Sequence, residues 1–273
     1  MISLEWKERL SKDVNDFFIN KLPQKNYDIE IVYNVYPIRV HNTIPREVIT
    51  FVAKELGTKL NKNREAYLDF YNTLWDEKGD NGQIIMAYLF AKFIKKSPDF
   101  FLPIVEAKLE GEDTPIENLL LEKTILPLIK DKPEKYLPLI FKWLKRDDAD
   151  LQLHFIKLLV KYCKSEPDHL SEILEKIKYS WLLGSDASVK SGTFFLKQVA
   201  SMNEEIYLSF FEANQKTHDP SLVEVMCGSL TSYYAELEPI INQWTKSGNA
   251  RLKRAALTGQ KLLKRKGKQI KNG

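Results

Sequence analysis

At 273 residues, with 44% hydrophobic and 29% charged side chains, the chain has the balance of a soluble helical protein and not of a disordered one. No apolar run reaches the roughly 20 residues that cross a membrane, and the opening residues lack a charged-then-apolar leader. Cys163 and Cys227, the only cysteines, read as buried thiols of a reducing, cytoplasmic setting.

Residues 4–22 predict an amphipathic helix with Leu10, Val14, Phe17 and Phe18 on its apolar stripe. Residues 29–40 alternate weakly, and Pro37 argues against a central strand, so this stretch reads as an ordered connection. Pro45 stands at a first helical position, and Gly57 marks that helix's end. Residues 64–76 predict the next helix, and Asn81-Gly82 reads as a turn that also caps the one after it.

From there a pattern repeats. A small polar cap is followed three residues later by an aliphatic residue and a wide apolar helix face: Asn81, Asp113, Asp148, Asp186, Asp219 and Asn249. The intervals, 30 to 38 residues, fall in the range of helical-repeat arrays. Trp75, Trp143, Trp181 and Trp244 each lie five or six residues before a cap, at the end of a preceding helix. Each repeat therefore reads as helix A, a turn, a cap and helix B. The expected fold is all-α: a right-handed solenoid of HEAT-like helix pairs over residues 1–264, with a basic flexible tail at 265–273.

The net charge of +4 is mild, but its distribution is not. Fifteen cations fall on the B helices, among them Lys92, Lys123, Lys157, Lys161, Lys190, Lys197, Arg251, Lys253 and Arg254, against five acidic residues. The A helices lean acidic, so one layer of the array would suit a polyanion. There is no Gly-rich phosphate loop, no HExxH and no paired-Cys metal spacing, so neither a metal nor another cofactor is expected. The four histidines are scattered; His154 sits on a B helix and is counted with the residues of the basic layer.

Several stretches resemble the AlkD-like DNA alkylation repair family, arrays of HEAT-like repeats. They are Ile38-Arg39-Val40 leading through Pro45 to Ile49–Leu56, Leu74-Trp75-Asp76 before Ile84–Phe90, and Phe141-Lys142-Trp143 through Asp148 to Leu151-Gln152. The resemblance covers about residues 38–212. It implies a concave surface that holds double-stranded DNA by its backbone and, in enzymatic members, releases cationic alkylated purines with a carboxylate. Set against that motif, Leu119 stands at the family tryptophan, Lys123 at the catalytic aspartate, Leu153 at the arginine and Phe194 at the second tryptophan. A lysine would repel the positive charge that develops on the sugar. Glu122 or Glu117 would have to replace the aspartate, and on a helix a one-residue shift turns a side chain by about 100°. The sequence thus points to a duplex DNA-binding protein that lacks the excision carboxylate. Its rivals are an active alkylpurine glycosylase using Glu122 or Glu117 and a protein-interaction scaffold.

Overall fold

The computed structural model describes residues 3–19, 44–109, 115–146, 148–182 and 184–271. These residues hold fourteen α-helices and no strand. None of those helices is long and apolar enough to cross a membrane. Asp113, the stretch at 29–40 and the end of the 4–22 helix lie outside the described residues, as does Ile38-Arg39-Val40.

The chain divides into two compact units, Met1–Glu110 with Thr114–Asp131 and Gly111–Asp113 with Lys132–Gly273. In the first unit the helices are α1 (Ser3–Phe18), α2 (Arg46–Leu60), α3 (Leu68–Asp76), α4 (Gly79–Phe93), α5 (Pro98–Ala107) and α6 (Pro115–Asp131). Helices α2, α4 and α6 pack side by side in series, while α1 lies on α2, α3 on α4, and α5 on α4 and α6. The second unit holds α7 (Pro133–Trp143), α8 (Ala149–Ser165), α9 (Leu170–Trp181), α10 (Asp186–Met202), α11 (Glu204–Ala213), α12 (Pro220–Gly228), α13 (Leu237–Trp244) and α14 (Ala250–Lys271). Its series is α8–α10–α12–α14; α7 packs on α8, α9 on α10 and α12, α11 on α10 and α13, and α13 on α14.

The four tryptophans do what their register suggests. Each closes an outer helix and is buried, with exposures of 9% for Trp75, 3% for Trp143, 0% for Trp181 and 3% for Trp244. Trp143 stacks on Phe155 of α8 at 4.8 Å, and the Trp244 indole N–H donates to the Gln215 carbonyl at 2.9 Å. In the first unit a ring cluster also joins α3, α4 and α5, in which Phe101 meets Phe90 at 4.8 Å and Tyr71 at 5.8 Å. Burying such a side chain is worth about 1.5–3 kcal/mol, so these clusters fasten each outer helix to the series beneath it.

Three of the six caps form as the sequence indicates. Asp148 accepts from the Leu151 amide at 2.9 Å, Asp219 from Leu222 at 2.8 Å and Asn249 from Leu252 at 3.1 Å. At α10 the cap is instead Ser185, one residue earlier, which accepts from the Ser188 amide. Asn81-Gly82 is no turn. It lies inside α4, and the turn is made by Gly79, whose φ of +56° is the left-handed conformation glycine tolerates. Gly57 does not end α2, which runs on to Leu60; its missing side chain leaves room for Leu89 and Lys92 of α4. Residues 265–271 are not a loose tail. The helix that begins at Ala250 continues through Lys271, because Lys and Arg favour helix even where apolar periodicity stops.

Gly82 lies directly against the end of α3: a Cβ there would lie 2.2 Å from the Leu74 carbonyl oxygen, which is backbone and cannot swing aside. Gly82→Ala is therefore expected to destabilise the chain by roughly 1–3 kcal/mol, despite alanine's higher helix propensity. Urea unfolding followed by circular dichroism checks this; an unchanged or raised midpoint would contradict the close packing.

Candidate nucleic-acid interface

Helical spacing places the cations of the second unit in stripes. On α8, Lys157, Lys161 and Lys164 follow at four and three residues, so they share a face; on α10, Lys190, Phe194 and Lys197 do the same. Phe194 is half-buried, and Lys161, Lys190 and Lys197 are exposed. Lys164 reaches across to Gln198 of α10 at 3.4 Å, which joins the two stripes. The structure thus brings Lys157, Lys161, Lys190, Phe194 and Lys197 onto one surface formed by neighbouring helices.

Other sequence-derived candidates fall out. His154 is fully buried, so its ring lies in the protein interior and is not presented to a ligand. The reason is its place on α8, whose wide apolar face packs against α10 and α7 and takes His154 with it. Arg251 is exposed, but its guanidinium is clamped by Glu224 of α12 at 3.0 and 2.6 Å, a pairing that raises its pKa further. Bidentate carboxylate pairing of this kind leaves little for a phosphate.

In the first unit, Lys92 lays its stem on Gly57 and its ammonium 3.3 Å from the Thr58 hydroxyl. Burial, helped by nearby Lys96, draws its pKa below the ordinary lysine value. Lys123, at the position the resemblance gives to the catalytic aspartate, sits 4.8 Å from the centre of the Tyr88 ring, and Arg46 lies 5.7 Å from the same ring. Glu117 is 7% exposed in the first turn of α6, and Glu122 is half-buried one position round the helix from Lys123. Two cations gathered on one aromatic ring are the opposite of a carboxylate site for a developing cation. Among the described residues no three His, Cys, Asp or Glu side chains gather as a metal site.

The charge is distributed less evenly than the sequence suggests. The inner series of the first unit, α2, α4 and α6, carries six cations and six acidic residues. The series α8–α10–α12–α14 carries fourteen cations and three acidic residues, while the outer helices of that unit, α7, α9, α11 and α13, carry four and seven. Nine of the fourteen cations belong to α14, which has no acidic residue. Lys261 and Lys264 belong to the fifteen B-helix cations counted from the sequence, but the equally exposed Arg265 and Lys268 read as tail because the end of apolar periodicity at Leu263 reads as the end of the helix. The signal that could have found them is the unbroken run of helix formers with only Gly267 between. Comparison with protein families, curated proteins and solved structures finds no match for this chain.

Neither thiol offers a nucleophile at neutral pH. Burial pushes Cys163 and Cys227 up to about 12 from an ordinary 9.0. Both should resist a disulfide reagent at pH 8 in the native chain and react once it is unfolded. The unfolded chain releases these protons near the ordinary value while the folded chain holds them, so stability is unaffected by the thiols below pH 9.0 and falls as pH rises from there towards about 12. Stoichiometric labelling of either native thiol at pH 8 would contradict this burial.

Proposed function

We propose that the chain is a double-stranded DNA-binding protein of the HEAT-like repeat type, similar to the AlkD-like proteins, that holds the duplex by its phosphates and does not excise bases. The observation that carries the reading is the segregation of charge in the second unit: fourteen cations against three acidic residues on the inner series, four against seven on the outer helices. A polyanion is attracted by such a surface because each neutralised phosphate releases condensed counterions. The serial packing of α2–α4–α6 and of α8–α10–α12–α14, each member in contact with a further helix, supports a helix-pair solenoid within each unit.

Absence of excision chemistry follows from the same residues. Lys123 occupies the place of the carboxylate, Glu117 is buried, and Glu122 stands one position round the helix from the aligned site. None of them would stabilise an oxocarbenium-like centre at the aligned position.

Fluorescence anisotropy of a labelled duplex of about 30 base pairs tests the reading. The affinity should fall at least tenfold between about 50 and 200 mM salt. Lys161→Glu/Lys190→Glu/Lys197→Glu should weaken binding at least tenfold at fixed salt, whereas Lys135→Glu/Lys142→Glu, on an outer helix, should change it little. No binding of the intact chain at low salt would sink the proposal.

A further inference from the structure

Helix α14 concentrates what the rest of the basic surface dilutes. Its apolar side, Leu252, Ala255, Ala256 and Leu263, is buried, and Gly259 brings it against Cys227 of α12. Gly267 lies against the Tyr233 ring, where a Cβ would meet it at 3.0 Å, so the body also holds the far end of the helix. Everything exposed on the opposite side is positively charged or neutral. Lys253, Arg254, Lys261, Lys264, Arg265 and Lys268 are exposed and form no ion pair among the described residues.

Helical geometry sorts these side chains into three lanes. At about 100° per residue, Lys253 and Lys264 fall on one flank and Arg254 and Arg265 on the other, roughly 100° apart around the axis. Between them runs a ridge of Leu257, Lys261 and Lys268. Leu257 is 40% exposed, one of few large apolar side chains left open to solvent. The two cations of each flank are eleven residues apart, about 16 Å along the axis.

We infer that α14 lies in the major groove of a B-form duplex, the flanks gripping the phosphates of the two strands and the ridge facing the base edges. This rests on the proposed duplex binding and says where and how it occurs. The major groove, about 12 Å wide, admits an α-helix 10–12 Å across. A duplex offers a phosphate row on each side of such a helix; a single strand offers one. In that position Leu257 meets thymine methyl groups, and Lys261 and Lys268 reach guanine O6 and N7. The major groove of A-form RNA is deep and narrow and closed to a helix. A membrane surface fits poorly, because the apolar side that would enter it is buried against α12 and its neighbours. The helix also lies beyond residue 212, outside the stretch that resembles the AlkD-like proteins.

Dimethyl sulfate footprinting of the full chain on duplex DNA tests it, because the reagent methylates guanine N7 in the major groove and adenine N3 in the minor. Protection of N7 that disappears in Leu257→Glu/Lys261→Glu is expected. So is at least tenfold weaker binding to duplex RNA of the same sequence. Lys253→Gln/Arg254→Gln/Lys264→Gln/Arg265→Gln should lower the slope of log affinity against log salt by about 3 to 4. Circular dichroism and an unchanged unfolding midpoint establish that each variant is folded. DNA binding with N7 open, equal affinity for duplex RNA, equal affinity for phosphatidylserine vesicles, or an unaltered salt slope in the four-residue variant would overturn the groove assignment and leave duplex binding standing. Loss of DNA binding in the intact chain would instead remove the premise.

Discussion

The constraint on which the second unit depends is that its inner helices must pack on two sides at once. A helix such as α8 buries ten residues, from Leu151 to Cys163, against α10 on one flank and the outer helices beneath. What remains to solvent is a narrow stripe, wide enough for three lysines. Helix α10 is in the same position with Lys190 and Lys197, and α12 is so short that its only charged residue is Glu224, already committed to Arg251. Helix α14 packs chiefly on α12 and α13 and keeps a broad face open, and there the cations accumulate. Charge density follows packing: where more of a helix surface is covered, less of it can carry charge.

That accumulation works against the isolated helix. Lys261 with Arg265 and Lys264 with Lys268 are like-charged neighbours one turn apart, which weakens a helix. Cations near the carboxyl end gain from the helix dipole, and the contacts of Gly259 and Gly267 anchor the apolar side. A face that repels itself in water is relieved by a row of phosphates, so the surface is matched to a polyanion in energy as well as in sign.

The outer-helix tryptophans and the Asp148, Asp219 and Asn249 caps were legible because each is a local device: one side chain, one turn, one partner a few residues or one helix away. The glycines were not, since Gly82 and Gly57 owe their places to the close approach of a second helix that spacing alone does not reveal. Serine could stand for aspartate at the α10 cap, one residue earlier, because both side chains accept from the amide three residues on. At the candidate site, the lysine stripes of α8 and α10 could be read from period 3.6, but the burial of His154 and the clamping of Arg251 required the neighbouring helices to be in place. The largest omission, the final turns of α14, arose because apolar periodicity reports a helix only where it is packed.

Hydrogen exchange of the intact chain, with and without a short DNA duplex, addresses the central claim most directly, since it reads every helix at once. Slowed exchange across α14 and along α8 and α10, with the outer helices α9 and α11 unchanged, is the result this account requires. Protection confined to the outer helices, or none at saturating duplex, would contradict it.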